Sequence, residues 1–164
     1  MLHFKKSSLI AIAGGVWFVV GLALLTKGLQ LLFLSASLSG QIKTPLLNIF
    51  LYAFTGALLP SLIFLITTGL LFGWIKARFG LIRSIKRTMH RLHLIEGTIK
   101  LSKLYRLHDY LLVVGMIALG RLMHWINLPS DLHGFIDITI GSALVNGAMI
   151  YFRFALQVKE AQKV

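Results

Sequence analysis

The stretch from Leu9 to Leu34 is apolar almost throughout and carries a single charge, Lys27, close to the polar Gln30. A run of this length covers the roughly 20 residues that an α-helix needs to cross a bilayer. Few folds remain open to such a chain, because a segment in lipid must satisfy its backbone donors and acceptors internally, as helices and closed barrels do. The flank MLHFKKSS and the small residues Ser35-Ala36-Ser37 imitate a signal peptide. The run far exceeds the roughly 7–15 residues of a secretory apolar core, so it reads as an uncleaved first span. Within it Gly14, Gly21 and Gly28 recur every seven residues, a stripe on which another helix can approach closely.

Further apolar runs follow. Leu46–Ile75 is too long for one untilted span and contains Gly56 and Pro60. Either one tilted helix bends at Pro60, which removes a backbone donor, or residues 46–58 lie in the interface or re-enter and only the remainder crosses. A bent or broken segment is expected, and Gly69 and Gly73 supply a GxxxG packing motif. Tyr110–Ile126 and Phe135–Phe154 complete the set, joined by LPSDLHG, in which Pro129 and Asp131 suit a turn. The expected architecture is therefore an all-α integral membrane protein of four transmembrane helices, arranged as two hairpins in one domain, 1–164. The spans are about 9–34, 46–76 with a break near 60, 109–127 and 135–155, with a basic cytoplasmic segment at 77–108.

The sequence from Lys76 to Arg106 sets nine lysines and arginines against one acid, Glu96. Leu81, Ile85, Met89 and Leu92 form one apolar helical stripe. Arg83, Lys86, Arg87 and Arg91 fall largely off it, which reads as a membrane-surface segment drawn to anionic lipid headgroups at about 1 kcal/mol per charge. Equally, the segment reads as a loop whose charge only sets topology. With Lys5, Lys6, Arg153, Lys159 and Lys163 on the same side and Lys43 alone opposite, the positive-inside rule places both termini in the cytoplasm. The expected location is a plasma membrane or bacterial inner membrane. This distribution absorbs most of the net charge of +12, so no nucleic-acid partner is implied.

VVGLALLTK (19–27) reappears without a gap as VVGMIALGR (113–121), placing Lys27 on Arg121 and Gln30 on His124. Parallel repeats are a known plan of transporters, although apolar segments also resemble one another by composition, and both readings stay open. An ionisable residue inside a span costs roughly 2.5–3.5 kcal/mol on insertion scales and marks a functional site by default. Lys27 and Arg121, flanked by Gln30, His124, Asn127 and Asn146, would form an outward-facing cationic vestibule for an anionic solute or headgroup. The bland alternatives are structural. Residues 1–95 contain no acid, so Lys27 must snorkel, bond backbone oxygens, or borrow Asp131 or Asp137 from the second hairpin. Arg121 would pair with Asp137 across the short turn. On that assignment, Lys27→Met should fold at least as well as the parent.

Enzymatic chemistry is not expected from five acids and no cysteine. His90 and His93 lack a third ligand and sit beside Arg87 and Arg91, so no metal is expected, and no cofactor. Two functions remain. One is a transport or channel protein handling a small anion or anionic lipid, expected as a homo-oligomer because four short spans enclose little volume. The other is a membrane subunit, scaffold or assembly factor that binds anionic lipid or a protein partner.

Overall fold

In the computed structural model, which describes residues 6–38, 44–81, 118, 121–122 and 125–161, all regular structure is helical. Helix α1 is Lys6–Ser37, α2 is Pro45–Ala53, α3 is Leu58–Lys76 with a π-helical turn at Ala77–Leu81, and α4 is Ser130–Ala161. Three helices are long and apolar enough to cross a membrane: Ile10–Ser37, Leu58–Phe79 and Ser130–Glu160. Their outer faces present Val19, Ile63, Phe72 and Leu156 to the surroundings, which suits lipid and would be a liability in water.

The ends of these helices follow from local chemistry. No cation lies in the last turn of α1. There the Ser35 hydroxyl donates to the Leu31 carbonyl at 2.7 Å and that of Ser37 to the Leu34 carbonyl at 2.9 Å. The small residues that resemble a cleavage site are thus part of the helix, and Ser35 and Ala36 are buried in it. Pro45 opens α2, where its missing N–H costs nothing. Gly56 N–H then closes α2 on the Leu51 carbonyl at 2.7 Å, while Thr55 takes φ 53° and Gly56 φ 82°. This is a Schellman ending with threonine, rather than glycine, in the left-handed position.

The second apolar run is thus broken, as expected, and only its latter part is long enough to cross, with the interruption at residues 54–57, just before Pro60 rather than at it. Pro60 stands third in α3, where the first four N–H groups lack intrahelical partners in any case, so it starts the helix instead of bending it. The first and last spans extend beyond the expected limits of 9–34 and 135–155. Asp131, expected in a turn, is buried within the first turn of α4. Of the expected third span only residues 118, 121–122 and 125–127 are described, the first four of them helical, and residues 82–108 of the basic segment lie outside the described residues.

The core is organised on α4, which packs on α1 along one side and on α3 along another. The expected first hairpin is thus opened: α4 supplies the main partner surface for both helices. Against α1 it runs antiparallel. A Cβ placed on Gly28 would meet the Gly134 carbonyl oxygen at 2.8 Å, and one on Gly21 the Gly141 carbonyl oxygen at 3.0 Å. Gly14 faces Tyr151 and Phe152. Against α3 the direction is parallel, with Gly69 on Ile138 and Phe135, and Gly73 on the Thr139 carbonyl and Ser142. The Ser142 hydroxyl also donates to the Leu70 carbonyl at 3.0 Å. Lacking a hydrophobic drive in lipid, such helices associate through close packing and interhelical hydrogen bonds, and both occur here. At the Ser37 end, Leu32, Leu47, Leu62, Leu65 and Ile138 join all four helices in one core. At the other end α1 and α4 pair through Ile10 and Ala155, and through Trp17, Leu144 and Ala148.

Candidate intramembrane charge site

The approach of α1 to α4 at Gly28 and Gly134 brings the residues beside those glycines together. Lys27 Nζ lies 3.5 Å from Asp137 Oδ2. His133, one turn before Asp137 on α4, holds Nε2 at 3.6 Å from the same oxygen. The Asp137 side chain is 6% exposed, whereas that of Lys27 is 53% exposed. The aspartate therefore sits inside the helix packing, and the ammonium stands at its edge. Neither Asp137 Oδ2 nor His133 Nε2 has a hydrogen-bond partner at ordinary geometry. A buried carboxylate needs compensation, and here it comes from the charge of Lys27 rather than from a fixed network of donors.

This geometry corrects the charge assignments made from sequence. Asp137 is engaged by Lys27 and His133, so the Arg121–Asp137 pair is not formed. Lys27 does borrow an acid from the distant helix. The second acid of that helix serves another purpose. Asp131 accepts the backbone N–H of Leu47 through Oδ2 at 3.1 Å and that of Leu132 through Oδ1 at 2.8 Å. Leu47 is the third residue of α2, and the cap residue Thr44 makes no side-chain cap bond. Asp131 thus caps α2 from another helix, placing negative charge where the helix dipole favours it.

The remaining candidates disperse. Gln30, one turn beyond Lys27, shares its exposed side of α1. Arg121 and Asn127 are exposed, and Asn127 adopts φ 47°. Asn146 donates its amide to the Ser142 carbonyl at 2.8 Å. It lies roughly 13 Å of helical rise beyond Asp137, so it does not join the site. His124, together with Arg83, Lys86, Arg87 and Arg91, lies outside the described residues, as do His90 and His93.

Sequence reasoning passed over His133, although its i, i+4 spacing to Asp137 on an apolar helix was a usable signal. It also passed over Gly134, Gly141, Ala148 and Ala155, small residues at the same seven-residue interval as Gly14, Gly21 and Gly28. Two matched stripes of that kind fix both the partner helix and its register. Chemically, the cluster is a carboxylate held between an ammonium and an imidazole. It can exchange a proton, and it can release the ammonium to another anion. In comparisons with protein families, with curated proteins and with solved structures, the chain has no match.

Proposed function

We propose that this chain is a small multi-pass membrane transport or channel protein whose site is Lys27, with Asp137 as the internal counter-ion that an incoming anion displaces. One observation carries the reading: the ammonium is half exposed while its partner carboxylate is buried, so an anionic solute or headgroup can reach Lys27 from the side away from Asp137. In this reading the protein spans the membrane four times with both termini in the cytoplasm of a plasma or bacterial inner membrane. The directions of the helices support that count. α3 ends on the side where α1 begins, and α4 starts on the opposite side. Lys76, Arg78, Arg153 and Lys159 gather at the shared end, as a cytoplasmic face requires. There Arg78 lies over the Trp74 ring at 5.4 Å, a pairing suited to the headgroup level. Arg83, Lys86, Arg87 and Arg91 would extend that anionic-lipid contact. Four spans enclose little volume, so a pathway would need a homo-oligomer.

Chloride flux into proteoliposomes tests the proposal. Lys27→Met should abolish it, and flux at the parent rate in that variant rejects the site. Topology is tested separately with an impermeant thiol reagent on intact cells: a cysteine at Ser37 should react, and one at Lys159 should not.

A second reading, a non-transporting membrane subunit or scaffold, is favoured by the neutrality of the Lys27–Asp137 pair and by the glycine contacts of α1 and α3 with α4. Under it, Lys27→Met alters stability and partner assembly but no flux.

A further inference from the structure

We infer that Asp137 and His133 form a proton-binding site, and that the proton they share decides whether Lys27 is free to take an external anion. The inference deepens the reading of Lys27 as the anion-contacting group and rests on it for the coupling, though not for the proton site itself.

Two buried atoms define the proton site. Asp137 Oδ2 and His133 Nε2 are both buried, lie 3.6 Å apart, and are without hydrogen-bond partners. In the Nδ1–H tautomer of neutral imidazole the Asp137 carboxylate faces an unprotonated Nε2, two lone pairs against each other, whereas the Nε2–H tautomer donates to it. A proton on either atom turns that contact into donor and acceptor, and a small rotation of the side chains closes it to bonding distance. Buried polar atoms left unmatched are costly, which makes the site a place where a proton is held rather than ignored.

Among the described residues the charges facing Asp137 are few. Lys27 comes from α1 and His133 from α4 itself; α3 offers Leu65, Ile66 and Gly69 near Ile138, and α2 presents no charge, its N-terminus being held by Asp131. With His133 neutral, Lys27 and Asp137 cancel. One proton taken from water makes the cluster singly cationic, whether it rests on Nε2 or on Oδ2. In either state Asp137 turns to His133, and its hold on Lys27 weakens. An anion arriving at the exposed ammonium then restores neutrality. The protein thereby gains one proton and one anion together, and by reciprocity each raises the affinity for the other. No oxidant, reductant or covalent step is involved.

Nitrogen-15 NMR of the histidine-labelled protein reads the proton directly, with the His133 signals assigned by loss in His133→Gln. Expected is one protonation step at His133 that shifts or disappears in Asp137→Asn. A His133 Nε2 that stays an unprotonated acceptor at all pH values, or a step indifferent to Asp137→Asn, overturns the proton site whatever the anion results. Chloride affinity in phosphatidylcholine vesicles reads the coupling. It should rise about tenfold per pH unit lowered across that step, the slope of one proton per anion, and become independent of pH in Asp137→Asn. Chloride binding without pH dependence overturns the coupling while leaving Lys27 as the anion site. If the His133 step responds to phosphatidylglycerol in place of chloride, the anion is a headgroup and the coupling stands. Should it respond to neither, the coupling falls, and if chloride and phosphatidylglycerol also fail to bind, the anion reading falls with it.

Discussion

Replacing Gly28 by alanine pushes a methyl group into the backbone of α4. The new carbon would lie 2.8 Å from the Gly134 carbonyl oxygen, 2.8 Å from Ile138 Cγ1 and 2.9 Å from Ile138 N. Ordinary separations for such atoms are about 3.5–4.0 Å, and two of the three obstacles are backbone that cannot rotate aside. α1 and α4 must therefore part by roughly 0.5–1 Å, a gap that forfeits a quarter to a half of each van der Waals contact along the opened seam. Overpacking of this kind costs about 1–3 kcal/mol. Gly15→Ala is the internal control: nothing lies within 4 Å of its added carbon, and alanine is the better helix former by up to about 1 kcal/mol. That gain is common to both variants, so they should differ by the overpacking cost alone, about 1–3 kcal/mol. Reversible unfolding in mixed micelles, followed by fluorescence, measures the difference, since Trp17 is buried on α1 against Leu144 and Ala148. Equal stabilities of Gly28→Ala and Gly15→Ala would refute the claim that glycine contacts hold α1 on α4.

Lys27→Met should lose about 1–2 kcal/mol, a discounted cost because the lysine is half exposed, as it strands the buried Asp137. Adding Asp137→Asn should recover most of it; a single variant as stable as the parent would show that the pair contributes nothing. Asp131→Ala should cost about 1–3 kcal/mol by leaving the Leu47 N–H unpaired, with hydrogen exchange rising in α2 before α1, whereas Asp131→Asn keeps an acceptor and should lose less. Thr55→Gly should stabilise by up to about 1 kcal/mol, since a β-branched residue at φ 53° is strained. A loss on thermal unfolding would instead mean that the bond from its hydroxyl to the Phe54 carbonyl, 2.8 Å, outweighs that strain.

What the sequence disclosed was whatever depends on length and local pattern. Apolar runs announced three helices capable of crossing a membrane, and the glycines of α1 and the Gly69–Gly73 pair marked faces that do carry close contacts. The position of a break was less legible. Pro60 looked like the kink because proline disrupts a helix interior, but a proline in a first turn disrupts nothing. The real interruption needed only Thr55 and Gly56 to turn left-handed, for which a lone threonine gives no warning. Charge partners were the least legible. Sequence proximity favoured Arg121 for Asp137, whereas the register of α1 on α4 places Lys27 there. That register is set by two stripes of small residues, of which only the first was read. The same reasoning reverses the expected outcome of Lys27→Met, from harmless to destabilising.

The central place of α4 has a consequence for the order in which this chain is made. α1 and α3 leave the ribosome well before the helix that both of them pack against, and the Ser142–Leu70 and Leu47–Asp131 bonds close across 72 and 84 residues of chain. Until α4 arrives, the glycine surfaces of α1 and α3 lack the helix they pack on among the described residues, and α2 lacks its cap. During that interval Lys27 is without Asp137, and its own half of the chain offers no substitute, since residues 1–95 contain no acid. The nascent chain is thus a set of separately stable helices awaiting a late keystone. Arrival of α4, rather than insertion of α1, is the step that brings these contacts together.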